Sequence, residues 1–146
     1  NSTIKDAKDG AYIKLPENSE VNIGMYAYYW GKSYLKNADG TGKSLSIDLN
    51  GSTLISNETL VLNGTDYGYY GITIPKGGAL TLINGNIDIK TDNSSSSALV
   101  VETDSTLVLK EITMKTNGSA IYPSGAASEV IVENSFTIHN FIPRDS

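Results

Sequence analysis

The sequence predicts an all-β domain, a parallel β-helix of about five turns with three short strands in each turn. Two observations lead to this fold. Segments of similar pattern repeat along the chain, at 71–90, 98–115 and 120–139, and within each segment hydrophobic residues alternate with polar ones. Self-similarity at a regular interval is typical of stacked architectures, and a period of two predicts strands with one buried face.

The spacing of the repeats is regular except at one loop. The equivalent residues Ala98 and Ala120 lie 22 positions apart, and Gly71 precedes Ala98 by 27 positions. The additional residues fall in 91–97, a run of Thr, Asp, Asn and Ser that predicts a loop insertion. Each repeat is therefore predicted to contain a strand, a turn, a second strand, a sharp bend and a third strand.

The alternation assigns one set of hydrophobic side chains to a shared interior. Short strands with one apolar face cannot form a core alone, whereas turns stacked about 4.8 Å apart fill a common interior. The residues predicted to point inward are Leu80, Leu82, Ile87, Ile89, Leu107, Leu109, Ile112, Met114, Val130, Val132, Phe136 and Ile138.

Residues 1–70 carry the same pattern less regularly. Residues 11–23 match the first two strands of the 71–90 turn, and residues 45–56 match its last two. Residues 25–43 are rich in Tyr and Gly, and they are predicted to project from the stack as a loop or an extra hairpin. We expect one β-helix domain over residues 1–146, cut from a longer chain, with a β-sandwich as the alternative fold.

Asparagines fall at the predicted bends, and two explanations fit them. Stacked amides at equivalent bends can form a hydrogen-bonded ladder. Alternatively, asparagine is favoured there because it tolerates a positive φ. The sequence leaves both explanations open for Asn50, Asn84, Asn86 and Asn134.

Composition and charge exclude several kinds of partner. The net charge is −5, acidic and basic residues are interspersed, and the only arginine is Arg144. Phosphate backbones and anionic membranes attract clustered Lys and Arg, so neither nucleic acid nor a membrane surface is an expected partner. The chain has no cysteine for disulfides or thiolate metal sites, and no apolar run of the ~20 residues that a transmembrane helix needs. We expect no cofactor.

Two turns carry a family resemblance. Residues 78–87 (Gly-Ala-Leu-Thr-Leu-Ile-Asn-Gly-Asn-Ile) and 105–113 (Ser-Thr-Leu-Val-Leu-Lys-Glu-Ile-Thr) resemble the right-handed β-helix passenger domains of bacterial autotransporters and related surface adhesins. The resemblance covers most of residues 10–140. It implies a right-handed coil, export to the cell surface or the extracellular space, and a role in adhesion, self-association or host contact.

The same architecture occurs in the pectin-lyase-like superfamily and in phage tailspikes, which raises a catalytic alternative. Enzymes similar to pectate lyases combine clustered carboxylates with a basic residue, but Arg144 lies in the terminal tail, and the motifs of polygalacturonase-like enzymes are absent. Asp48 and Asp88 are a candidate pair for glycoside hydrolysis, although outward acids on strands are more often solvated surface. We therefore predict no catalytic residue. The single histidine, His139, alternates with Ile138 and is predicted to face solvent.

A calcium site is considered at Asn37, Asp39 and Asp48, because oxygen ligands suit this ion. Their spacing matches neither an EF-hand nor a Gly-Gly-x-Gly-x-Asp repeat. An ordinary turn is the favoured interpretation, and no metal site is predicted.

Two aromatic clusters are the strongest candidates for a binding surface. Tyrosine has an apolar face and a hydroxyl at its edge, which suit stacking on sugars and contacts with proteins. The alternative is that these aromatic residues cover the open end of the stack or fill its wide turns. The residues predicted to bind a ligand or partner are Tyr26, Tyr28, Tyr29, Trp30, Tyr34, Tyr67, Tyr69 and Tyr70.

These patterns predict a non-catalytic, secreted or cell-surface module for adhesion, self-association or ligand binding, with a host or cell-surface glycan or protein as its partner. Two alternatives remain. One is a carbohydrate-active enzyme, similar to polysaccharide lyases or glycoside hydrolases, or an inactive relative. The other is a structural spacer. If the clusters bind ligand, alanine at Trp30 and Tyr28 is expected to weaken binding and leave the fold intact.

Overall fold

A computed structural model describes residues 2–92 and 96–139 of the chain. Its helices are α1 (Ser2–Lys5), α2 (Ala27–Tyr29) and a π-helical turn (Trp30–Tyr34) that continues α2. Its strands are β1 (Ala11–Lys14), β2 (Glu20–Asn22), β3 (Ser44–Asp48), β4 (Thr53–Ser56), β5 (Val61–Leu62), β6 (Thr65–Asp66), β7 (Ile72–Ile74), β8 (Ala79–Ile89), β9 (Ser97–Val101), β10 (Thr106–Thr116), β11 (Ser119–Pro123), β12 (Glu129–Glu133) and β13 (Phe136–His139). Within the described ranges, no helix is long and apolar enough to cross a membrane.

The chain is all-β with mainly parallel strand pairing, as the sequence predicted. One sheet of eight strands has the order β1-β3-β8-β10-β12, with β2, β4 and β13 pairing alongside this path. A second sheet has the order β11-β9-β7, and β5 pairs with β6 as an antiparallel hairpin. The strands β8 and β10 are each 11 residues long. Each therefore pairs with two successive shorter strands, β8 with β3 and β4, and β10 with β12 and β13.

The strand register confirms the alignment of the three repeats. Leu80 pairs with Leu107, and Leu107 pairs with Val130. In the second sheet Ile72 pairs with Leu99. In-register parallel strands place equivalent side chains side by side, so the core consists of aliphatic columns. The inward prediction is confirmed in β8 and β10, where the buried residues are Leu80, Leu82, Ile87, Ile89, Leu107, Leu109, Ile112 and Met114.

The inward prediction is wrong in β13. Phe136 pairs with Thr113, and Ile138 pairs with Lys115. Paired residues on neighbouring strands point to the same side of a sheet, and Thr113 and Lys115 flank the buried Met114. Phe136 and Ile138 therefore point outward, where they are 61% and 47% exposed.

The change of phase occurs at the corner between β12 and β13. The Ser135 hydroxyl accepts a hydrogen bond from the Ile112 N–H at 2.9 Å, so Ser135 stands opposite a core residue of β10. The next residue along the chain must then point outward. Val132 in β12 keeps the inward phase of its partner Leu109, but it is 51% exposed because no described strand pairs with the other edge of β12.

The predicted alignment of residues 11–23 is also wrong. Ala11 pairs with Leu45, which in turn pairs with Leu80, so β1 lies in the column of β8 and not in that of β7. The error arose because the alternating apolar residues before Pro16 resemble those before Pro75. The match between residues 45–56 and the last two strands of the 71–90 turn is confirmed, since β3 and β4 both pair with β8.

The bends favour the backbone explanation for the asparagines. Asn50, Asn84 and Asn134 have φ of 53°, 54° and 50°, whereas Asn86 has no positive φ. At the corresponding bend of β10, Glu111 adopts a φ of 55°. Non-glycine residues seldom adopt this left-handed conformation, and asparagine does so more readily than most. The Asn50 amide also donates to the Leu15 carbonyl at 3.2 Å, which ties one bend to its neighbour.

The two ends of the large sheet, the capped end and the open end, differ in how far they are covered. The capped end consists of β1 and β2 with α1, α2 and the π-helical turn, and Ile4 of α1 is buried in the core there. Ile13 and Val21 of the edge strands are half-buried against that core. The open end consists of β12 and β13. The side chain of His139, residues 93–95 of the predicted loop insertion and Arg144 lie outside the described residues.

Candidate ligand-binding cleft

The chain between β2 and β3 contains a short helical segment, residues 26–35. The Asn22 side-chain oxygen accepts the Gly24 N–H at 2.8 Å, and Gly24, with φ of 60°, turns the chain out of β2. The Trp30 N–H then donates to the Tyr26 carbonyl at 3.2 Å, and the Leu35 N–H donates to the Trp30 carbonyl at 2.8 Å. The latter bond spans five residues and defines a π-helical turn. The predicted loop or hairpin over residues 25–43 is therefore wrong for residues 26–35, whereas residues 36–42 do form a turn, closed by an antiparallel bridge between Lys36 and Gly42.

One side of the helical segment packs into the core. Ile23, Ala27 and Trp30 follow the i, i+4, i+7 spacing of an amphipathic helix, and each is at most 2% exposed. Gly31 lies against β7, where an added Cβ would stand 2.8 Å from the Thr73 Cβ, so the close approach requires glycine. The sequence contains this spacing, but Gly31 within the segment and Gly24 just before it disfavour a helix, so the spacing was not recognised.

The structure places Trp30 in the core and not at the surface. Its side chain is 1% exposed and belongs to the core at the capped end. A ligand at the protein surface cannot stack on this ring. The alternative interpretation, that aromatic residues of this segment cover an end of the stack, describes Trp30 correctly.

The neighbouring tyrosines form one ring cluster on the outer side of the segment. The rings of Tyr28 and Tyr29 are 5.4 Å apart at 79°, and those of Tyr28 and Tyr70 are 4.8 Å apart at 57°. Tyr29 contacts Tyr26 at 5.8 Å and stacks on Tyr34 at 6.3 Å. The cluster therefore joins residues that are more than 40 positions apart in the sequence, which local pattern alone did not show.

Tyr34 lies between the ring cluster and the core, against which it is partly buried. Burial, followed by the electrostatic effect of Tyr26 and Tyr29, raises the pKa of Tyr34 above its usual value of 10. Its phenol therefore remains protonated through the physiological range and can donate a hydrogen bond.

The second predicted aromatic cluster is divided by the structure. Tyr70 joins the ring cluster, whereas Tyr67 is 52% exposed beside the β5–β6 hairpin and has no ring contact with the described aromatic residues. Tyr69 packs under the Lys90 ammonium, 4.8 Å from its ring centre, and its N–H donates to Asp92 at 2.8 Å. Tyr67 and Tyr69 are therefore not part of the described ring contacts that include Tyr28.

A surface cleft lies where the helical segment meets β7. Its volume is about 380 Å³. Lys32 approaches Tyr28 closely: its ammonium donates to the Tyr28 hydroxyl at 3.3 Å and lies 5.5 Å from the ring centre. Two lysines and one glutamate make the cleft net positive, in a chain whose net charge is −5. The residues that line it are Tyr28, Gly31, Lys32, Lys36, Tyr70, Gly71, Thr73 and Glu102.

The lysines and Glu102 were not among the predicted binding residues. Lys36 follows the helical segment and forms an isolated antiparallel bridge with Gly42. Lys32 lies four residues after Tyr28, the spacing that places two side chains on one side of a helix. That signal is visible only once the segment is known to be helical. Glu102 follows β9 and reaches the cleft through the stacking of the second sheet.

Asp48 and Asp39, two of the acids considered for catalysis or metal binding, have structural partners. The carboxylate of Asp48 accepts the Tyr12 hydroxyl at 3.2 Å and the Asn50 N–H at 2.9 Å. Asp48 pairs with Ile83, whereas Asp88 lies five residues further along β8, beyond the bend at Asn84. The structure therefore does not bring the two carboxylates together in one column.

Asp39 closes an ordinary turn. Its carboxylate accepts the Thr41 hydroxyl at 2.6 Å and the Thr41 N–H at 3.0 Å. These hydrogen bonds lower the pKa of Asp39 below its usual value of 3.8. The Asn37 amide donates within the same turn, to Thr41 and to the Gly42 carbonyl, each at 3.3 Å.

Comparison of the chain with protein-family models, with curated proteins and with solved structures finds no match.

Proposed function

We propose that the chain is a parallel β-helix that acts as a non-catalytic binding module, and that the cleft beside Tyr28 takes an acidic glycan. The coil is supported by the strand order, since successive segments return to the same columns after 35, 27 and 23 residues from Leu45 to Leu80, Leu107 and Val130. Such returns through parallel strands are typical of stacked turns. The right-handed coil of about five turns remains part of this proposal.

One observation supports the glycan most directly: two tyrosines and two lysines line the same cleft. The Tyr28 and Tyr70 rings offer apolar faces to the C–H groups of a pyranose, and their hydroxyls can bind sugar oxygens. Lys32 and Lys36 supply positive charge that would attract a carboxylate. Glu102 and Thr73 can accept hydrogen bonds from sugar hydroxyls.

The partner and location follow from the same chemistry. Acidic sugars occur on many cell surfaces, so a cell-surface glycan is the partner we propose, and an extracellular or cell-surface location is the setting. The absence of cysteine and the resemblance to surface adhesins are consistent with this setting. The spacer hypothesis makes no use of a positively charged aromatic cleft, and glycoside hydrolysis would need a second carboxylate beside Glu102, the one acid that lines it.

Self-association is a second candidate function, supported by a different observation. Ile131, Val132, Phe136 and Ile138 of the open end are between 39% and 61% exposed. Exposed apolar residues on an edge strand favour pairing with another chain.

A glycan array probed with the chain and two matched variants tests the glycan proposal. Tyr28→Ala removes one wall of the cleft, and Tyr67→Ala removes an exposed tyrosine elsewhere. We expect binding to uronic- or sialic-acid glycans, about tenfold weaker with Tyr28→Ala and unchanged with Tyr67→Ala. Equal loss of binding in both variants would exclude the cleft as the site. Equal binding of acidic glycans and of neutral glycans without a carboxylate would exclude it as well.

A further inference from the structure

A second cavity, separate from the cleft, lies inside the capped end. Its volume is about 240 Å³. Ile4 of α1 closes one side, Val21 and Ile23 form another, and Ile47 and Leu54 form the floor towards the core. An apolar cavity of ~150 Å³ is already large enough to hold a benzene ring.

The polar side chains in the described lining of this cavity are Thr3 and Trp30. The Trp30 indole is 1% exposed, and no acceptor among the described residues lies within hydrogen-bond distance of its Nε1–H. A buried donor without a partner is costly, and such groups are usually found paired. Because Trp30 lines the cavity, an acceptor held there could pair with this N–H.

We propose that the cavity binds a small apolar molecule carrying one hydrogen-bond acceptor, such as an aromatic ketone or ester, with the acceptor on the Trp30 Nε1–H. The aliphatic lining excludes a charged ligand, since neither Thr3 nor Trp30 can neutralise one. The size excludes an oligosaccharide. The site is therefore independent of the glycan cleft, whose lining residues are different.

Part of the cavity lining belongs to α1. This helix has four residues, and Thr3 and Ile4 are the positions at which it lines the cavity. Short helices have few internal hydrogen bonds and open locally more easily than the strands of a sheet. A small ligand can therefore enter by local displacement of α1 while the columns of the core remain in place.

The test uses the full chain labelled with ¹⁵N and two probes, acetophenone and ethylbenzene, that differ in the carbonyl group. The chain has one tryptophan, so its spectrum contains one indole N–H signal. We expect acetophenone to shift this signal in a saturable way and ethylbenzene to leave it without a hydrogen-bond shift. Absence of a saturable response to acetophenone would overturn the proposal.

Calorimetry on Trp30→Phe isolates the contribution of the donor. This variant keeps an aromatic ring and removes the N–H, so the affinity for acetophenone relative to ethylbenzene should fall about tenfold. A ratio that stays within about twofold of the wild-type ratio would overturn the role of the indole.

Val21→Phe provides a second variant that keeps Trp30. Val21 is half-buried at the cavity wall, and a larger side chain there should fill the space and weaken both probes at least fivefold. Unchanged binding of both probes, with a native circular dichroism spectrum, would place the probes elsewhere and contradict the proposal.

Discussion

The aliphatic columns of the large sheet are covered at the capped end and uncovered at the open end. At the capped end, Ile4 and Trp30 come from helical turns and are at most 5% exposed. At the open end, Val132 continues the column of Leu109 but is 51% exposed. A column of stacked residues needs a cover at each end, and only the capped end has one among the described residues.

The difference also appears in the alternation of the last strand. Ser135 at the corner and Thr137 in β13 occupy the inward positions, while Phe136 and Ile138 point outward. Polar residues on the inner side tolerate an uncovered interior, and apolar residues outside create a surface for contact. The capped end therefore supplies stability, and the open end supplies exposed apolar surface.

Trp30→Ala should have the largest effect on stability. Removal of a fully buried tryptophan leaves a large cavity next to one that already exists, and we expect a loss of about 3–5 kcal/mol in the free energy of unfolding. Urea denaturation followed by circular dichroism measures it. The sequence alone predicted that this variant would keep its fold and lose binding, so a loss below about 1 kcal/mol would restore the surface role of Trp30.

Leu109→Ala and Val132→Ala compare two positions in one column. Leu109 is 2% exposed and should lose about 2–5 kcal/mol, whereas Val132 at the open end should lose less than about 1 kcal/mol. The same urea denaturation applies to both variants. Similar losses would mean that the open end is covered in solution, and they would remove the contrast between the two ends.

Self-association should depend on the outward residues of β13. The double variant Phe136→Thr, Ile138→Thr is expected to weaken concentration-dependent association at least fivefold in sedimentation equilibrium, with stability changed by under about 1 kcal/mol. Val61→Thr, at a position that is 44% exposed on the β5–β6 hairpin, is the matched control. Equal association of all three proteins would leave the open end without this function.

The regular part of the fold could be predicted because its signal is local. Strict alternation over β8 and β10, with Leu80 27 positions before Leu107, determined both the burial and the register of these strands. The outward orientation of Phe136 and Ile138 in β13 could not be predicted in this way, because the apolar residues of β13 alternate with polar ones as regularly as those of β8 and β10. The phase is set at the corner, by the contact of Ser135 with Ile112.

The candidate site was predicted in part. Tyr28 and Tyr70 were both identified as candidates, but their contact at 4.8 Å depends on how two distant segments pack on β7. Trp30 was predicted at the surface because its burial also depends on packing with other segments. The sequence of a Gly-rich segment does not distinguish an exposed tryptophan from a buried one. Lys32 was missed because it shares a side with Tyr28 only in a helix, and Lys36 was missed because it reaches the cleft through the fold of the chain after that helix.

The smallest effect concerns the turn that returns the chain from the helical segment to β3. Hydrogen bonds from Thr41 lower the pKa of Asp39 in the folded state, so the ionised carboxylate contributes stability above its unfolded pKa. That contribution is lost as the pH falls through the folded pKa, which places the change below about pH 4.

Thr41→Val removes the hydroxyl and should raise the pKa of Asp39 towards 3.8, as measured by NMR titration of its carboxyl carbon. Thr41→Ser keeps the hydroxyl and should leave the pKa of Asp39 low. If both variants titrate alike, the hydroxyl does not determine this pKa, and the turn would then be held by its backbone hydrogen bonds, including the one from the Asn37 N–H to the Thr41 carbonyl at 2.7 Å.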